Sequence, residues 1–113
     1  MGRIRESIDV KGRPCWTLFD SGARNSYITE EAAELLHVES VSSNRAFALG
    51  GKQHQISKAC IVQASVEGHP VEFHANVIDE IGKDEEGRPI DLLFGAIAMQ
   101  QWGIKLDVPA EKL

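Results

Sequence analysis

Apolar and polar residues alternate with period two over most of the chain, and glycine-containing turn signals separate the alternating runs. Ile8 and Val10 alternate with polar neighbours, Lys11-Gly12 signals a turn, and Cys15-Trp16-Thr17-Leu18-Phe19 follows as an apolar run. Two extended segments around a glycine turn read as a hairpin, and Pro14, which lacks an N–H, places the start of its second strand at an edge. Val71, Phe73, Ala75 and Val77 form one apolar face against Glu72, His74 and Asn76. Gly50-Gly51 joins two further extended arms, 45–49 and 53–56, in the manner of a hairpin tip. The segment 58–66, a turn at Glu67-Gly68, the run 90–94 and a last strand at 104–106 bring the expectation to about seven short strands. Two short helices are expected beside them, one from Thr29 as N-cap to about Leu36 and one over Ala96–Trp102. Residues 39–44 read as a Ser/Asn-rich connector, and 79–89 as a charged, solvated loop. The pattern predicts an all-β, mainly antiparallel domain, barrel-like or sandwich-like, with one or two short helices.

At 113 residues the chain is expected to form one domain over 1–113, with a core that is mostly aliphatic because only 6% of residues are aromatic. A net charge of −5 argues against a broad nucleic-acid-binding face and, more weakly, against an anionic membrane surface. No apolar run approaches the ~18 residues of a membrane span. The start, MGRIRESIDV, has no secretory h-region, and the expectation is a cytoplasmic protein without membrane contact. Cys15 and Cys60 are far apart with no CxxC spacing, which favours two reduced thiols over a disulfide framework.

The stretch that carries chemistry is Leu18-Phe19-Asp20-Ser21-Gly22-Ala23. An apolar strand delivers a carboxylate into a loop of small residues, DSGARNS, which returns to the apolar pair Tyr27-Ile28. Asp, Ser and Gly are ordinary turn residues, so an Asx-turn is the bland reading. The apolar lead-in is what sets the stretch apart, since it holds Asp20 at the edge of a core.

WTLFDSGARNSYI resembles the signature of the retropepsin-like aspartic proteases, an apolar strand followed by Asp-Thr/Ser-Gly-Ala. About seventy residues on, Asp91-Leu92-Leu93-Phe94-Gly95 followed by AIAMQQWGIKLD is similar to that family's second element, with the Gly-Gly hairpin between them in the place of a flap. The resemblance spans roughly residues 8–107. It implies a closed-barrel-like acid-protease fold and an aspartic endopeptidase with no cofactor and no metal. Asp20 is the one aspartate followed by Ser-Gly, so one chain supplies half a site and the resemblance implies a homodimer acting on a peptide or protein substrate.

By the same resemblance, Asp20 would be catalytic, Ser21 would tie the two loops together, and Gly22 would let the substrate backbone approach. Ala23, Arg24 and the flap tip Gly50 and Gly51 would contact substrate, while Leu92, Leu93 and Gly95 would pack under the catalytic loop. Arg24 departs from the acidic residue of the viral members, and Ala96 from the polar residue of many cellular ones. The competing reading is an inactive dimerisation or peptide-binding module of the same fold. A third is a protomer active only when joined to a partner or a larger chain. His37, His54, His69 and His74 show no metal spacing, no GxSxG surrounds Ser21 or Ser26, and Gly50-Gly51 lacks the GKS/GKT of a phosphate loop.

Overall fold

Among the described residues every strand lies in one sheet that curls until β1 meets β5. The computed structural model describes residues 3–49 and 52–105, with side chains over 4–40 and 58–105. The elements are β1 (Arg3–Val10), β2 (Arg13–Asp20), β3 (Tyr27–Thr29), a 3₁₀ turn (Ala32–Leu35), β4 (Val38–Leu49), β5 (Lys52–Val66), β6 (His69–Ile78), β7 (Leu92–Phe94) and α1 (Ala96–Trp102). Strand order is β1-β2-β7-β3-β6-β5-β4. β1 also pairs with β5 through Asp9↔Ser65 and Val10↔Ala64, so six strands close into a barrel and β4 lies outside on β5. Five of the ladders are antiparallel, while β2–β7 and β3–β6 are parallel. This is the closed, mainly antiparallel barrel that the sequence predicts.

The first hairpin turns at Lys11 and Gly12, with φ of 50° and 86°, the left-handed pair that a two-residue turn between twisted strands requires. Pro14 pairs only with β1, since the β2–β7 ladder begins at Thr17. Two consecutive strands, β2 and β3, are not neighbours, because β7 is inserted between them. The loop 20–26 must therefore arch over the end of β7.

Alternation along the strands sorts the apolar side chains onto two sides of the wall. Cys15, Phe19, Ile28, Phe73, Ala75, Val77, Leu92 and Phe94 face the barrel interior. Phe94 is its centre, stacked on Phe19 at 4.9 Å and tilted against Phe73 at 4.4 Å between ring centroids. Leu18, Tyr27, Ile78, Ile90 and Leu93 form a second, smaller cluster on the outer side.

Four local expectations change. The helix expected from Thr29 is a single 3₁₀ turn, although the Thr29 hydroxyl does cap it by accepting the Ala32 N–H at 3.2 Å. Thr29 itself is held in β3 by its pairing with β6, which leaves few residues for a helix. The connector 39–44 belongs to β4, where the register shifts between Ser40 and Arg45; a bulge absorbs residues too polar to look like strand. Ile104 and Lys105 are not in a strand, and Leu106 lies outside the described residues.

The fourth change concerns 79–89. It is a small hairpin rather than a free loop: the Ile90 N–H donates to the Gly82 carbonyl at 2.9 Å, Lys83 bridges to Pro89, and the Asp84 N–H donates to the Arg88 carbonyl at 2.9 Å. Its charged tip is exposed, but Ile81 and Ile90 at its base pack into the outer cluster.

Candidate active site

Asp20 is the last residue of β2 and is only 6% exposed. Phe19 anchors the strand end in the interior, so period-two geometry turns Asp20 to the outer side, in line with Leu18. Its Oδ1 accepts the Gly22 N–H at 2.9 Å, and its carbonyl accepts the Ala23 N–H at 3.1 Å. The Asx-turn of the bland sequence reading is therefore present, and it orients the carboxylate rather than replacing a site.

The rest of the loop is fastened to the end of β7 and the start of α1. The Ala96 N–H donates to the Ala23 carbonyl at 2.7 Å, and the Ile97 N–H to the Arg24 carbonyl at 3.2 Å. The buried Ser26 hydroxyl accepts the Gly95 N–H at 3.0 Å, and the Ser26 carbonyl accepts the Asn76 N–H at 3.0 Å. Gly95 has to be glycine: a Cβ there would lie 2.3 Å from the Asn25 carbonyl oxygen and 2.6 Å from its carbon. Two chain segments some seventy residues apart are thus locked backbone to backbone beneath Asp20.

The structure brings Asp20, Ser21, Gly22, Ala23 and Arg24 together on this loop, with Ala23 half-buried and Ser21, Gly22 and Arg24 exposed. Leu93 lies under it, in register with both Leu18 and Tyr27. Leu92 faces the interior. Gly50 and Gly51, the expected flap tip, lie outside the described residues; the strands on either side, β4 and β5, pair antiparallel up to Leu49↔Lys52.

Sequence reasoning missed Ser26, whose signal was a small hydroxyl residue just before an apolar pair. It also missed the fastening of the 79–91 segment to Trp16. Asp91 exchanges backbone contacts with Trp16, donating its N–H to the Trp16 carbonyl at 2.8 Å and accepting the Trp16 N–H on Oδ2 at 2.9 Å. Asp84 Oδ2 accepts the Trp16 indole Nε1–H at 2.9 Å, and its Oδ1 accepts the Glu86 and Arg88 N–H groups, both at 2.9 Å. The Arg88 guanidinium sits 4.0 Å over the Trp16 ring, and Arg5 pairs with Glu85 at 3.3 Å. The Arg88 N–H above all, then the Trp16 indole, the Glu86 N–H and the Arg5 charge, holds the Asp84 carboxyl below the usual aspartate range. The signal was the turn sequence Asp-Glu-Glu-Gly-Arg, in which an aspartate can cap its own loop.

Among the described residues no group of three or more His, Cys, Asp or Glu side chains could hold a metal ion, and no helix is long and apolar enough to cross a membrane. Both cysteines are free and buried. Burial pushes the Cys15 thiol up to about 11, with Asp91 and Asp9 adding to the effect against Arg13, and raises Cys60 in the same direction.

A family model described as aspartyl protease matches residues 7–97. The chain belongs to the aspartyl protease family, and its fold is retropepsin-like. Among solved structures, the EIAV protease complexed with the inhibitor HBY-793 superposes with a TM-score of 0.65 at 19% identity, covering 92% of this chain and 91% of that one. The retroviral protease-like domain of Ddi1 from Leishmania major superposes with a TM-score of 0.62 at 18% identity, covering 89% and 78%. No curated protein matches the chain.

Proposed function

We propose that this single-domain chain is an aspartic endopeptidase that works as a two-fold homodimer, each protomer supplying one Asp20. The observation that carries the reading is the Asp-Ser-Gly-Ala loop locked over Gly95, in a chain of the aspartyl protease family. Such a lock holds a carboxylate at a fixed place on the protein surface, which a symmetric pair requires.

Two carboxylates brought close cannot both ionise, so the pair shares one proton. The ionised Asp20 takes a proton from a water between them as the water oxygen attacks the scissile carbonyl carbon. The protonated Asp20 gives its proton to the carbonyl oxygen. The tetrahedral species then collapses, the C–N bond breaks, and the amine leaves with a proton from the pair. Gly22 leaves room for the substrate backbone, Ala23 and Arg24 flank it, and the β4–β5 hairpin with Gly50 and Gly51 closes over an extended peptide, a form of strand addition. Ser21 joins the two loops across the axis.

The test is Asp20→Asn. Cleavage of a peptide library between pH 3 and 8 is expected to fall by ~10³-fold or more with the melting temperature preserved. A variant that cuts as fast as the parent rules the reading out. Peptide binding by the parent with no cleavage at any pH assigns the chain to the non-catalytic module instead. Sedimentation tests the dimer, and a parent that cleaves only as a monomer removes the symmetric pair.

A further inference from the structure

Four arginines have described side chains, and three of them are engaged. Arg5 pairs with Glu85, Arg13 with the carbonyl and carboxylate of Glu31, and the Arg88 guanidinium lies over the Trp16 ring. Arg24 is the fourth. It is exposed, and its guanidinium makes no hydrogen bond or ion pair with any described residue. Its backbone, by contrast, is fixed: the Arg24 carbonyl accepts the Ile97 N–H at 3.2 Å, next to the Ala23–Ala96 bond at 2.7 Å. A cation is thus held at a set place on the Asp20 loop with its fork of donors open.

The surroundings of Arg24 suit an anion. The chain carries 17 acidic residues against 12 lysines and arginines, yet residues 21–29 and 92–106 contain no Asp or Glu. These are the two segments locked together here, so the one carboxylate of the loop is Asp20 itself. At the next residue, Asn25, a cleft of about 190 Å³ opens between the loop and α1. Asn25, His74 and Gln101 line it with groups that donate hydrogen bonds, and no acid does. Along β6 the first carboxylate on that side is Glu72, beyond His74.

We propose that Arg24 selects substrates with an acidic side chain near the scissile bond and binds its carboxylate through the guanidinium fork. The proposal rests on the protease reading and adds to it a substrate class. The acid does not stand at the scissile bond itself, where the ionised member of the Asp20 pair repels it. The four residues from Asp20 to Arg24 span at most ~14 Å, and a bound strand rises ~3.3 Å per residue, so the acid falls within about four positions of the bond. Two-fold symmetry puts one Arg24 on each side of the bond, and the preference is expected on both.

The experiment compares three peptide pools of one design, in which a single flanking position holds Glu, Gln or Lys. The readout is the ratio of kcat/KM values on one preparation, which partial unfolding of a variant does not alter. The parent is expected to favour Glu over Gln about threefold to tenfold and to disfavour Lys, with the preference shrinking as salt is raised. Arg24→Gln should bring the ratio to about one, and Arg24→Glu should turn the preference toward Lys. A parent indifferent to charge, or a Glu preference that survives either variant, overturns the assignment and leaves the endopeptidase standing. If the parent cleaves no pool, the protease reading fails by itself, and fluorescence anisotropy of the same peptides, labelled, decides the role of Arg24. Glu-selective binding that Arg24→Glu abolishes supports it, and absent or charge-blind binding overturns it.

Discussion

Leu92 and Leu93 are adjacent, identical in chemistry and almost equally buried, at 0% and 2% exposure, yet they belong to different regions. Leu92 points into a barrel closed on all sides by strands, where Phe19, Phe73 and Phe94 interlock. Leu93 points into an outer layer roofed by one hairpin whose tip is held by Asp84, Arg88 and Glu85. The first region sets stability and the second carries the candidate site. Burial alone does not distinguish them; what covers each residue does, because a roof of hydrogen bonds and surface charges lifts more easily than a strand ladder.

The boundary between the regions is where the comparison breaks first. Gly95→Ala drives a Cβ into the Asn25 backbone and should cost upwards of ~3 kcal/mol while disordering the Asp20 loop. A denaturation series with parallel peptide cleavage checks both, and a variant with parent-like activity would show that loop and β7 are not locked.

The leucine pair sharpens the contrast directly. Leu92→Ala is expected to destabilise by roughly 3–4 kcal/mol, whereas Leu93→Ala should cost about 2 kcal/mol because the 79–91 hairpin, with Ile81 only partly buried, can settle into the gap. Leu93→Ala should nevertheless change peptide selectivity more than Leu92→Ala does. Equal costs in urea unfolding, with equal selectivity, would erase the distinction.

Ser26→Ala leaves the buried Gly95 N–H without its acceptor, an expected loss of about 1–2 kcal/mol concentrated at the loop. Amide exchange at Gly95 reads it locally. The pH-dependent effect belongs to the interior. Cys15 titrates higher in the folded chain than its ordinary value of 9.0, so its contribution is intact below pH 9.0 and lost as the pH rises through about 11. Urea midpoints measured from pH 8 to 11 should therefore fall more steeply for the parent than for Cys15→Ala. Parallel curves would show that the thiol is not buried as described.

Much of the fold was legible because strand periodicity is local information. The alternation at Val71, Phe73, Ala75 and Val77 named the interior face of β6, and Lys11-Gly12 and Glu67-Gly68 marked turns that form with the left-handed φ such turns need. The candidate carboxylate was legible for the same reason, an apolar strand ending in Asp-Ser-Gly-Ala. The misreadings came where a residue's role depends on a distant partner. Polar residues 39–44 looked like a connector, but β5 supplies hydrogen bonds to the strand on either side of the bulge. The charges of 79–89 looked solvated because the indole and the outer cluster they cover lie far away in sequence.

The sequence by itself determined which residues alternate, where the chain turns and which acid stands at a strand end, because those follow from backbone geometry and side-chain polarity over a few residues. Only the tertiary structure decided that β7 slides between β2 and β3, that Ser26 and Gly95 meet, and that a charged hairpin roofs the outer apolar cluster beside Asp20. Each of those is a long-range closure, and its energy comes from packing and hydrogen bonds between segments that carry no mark of one another until the sheet curls shut.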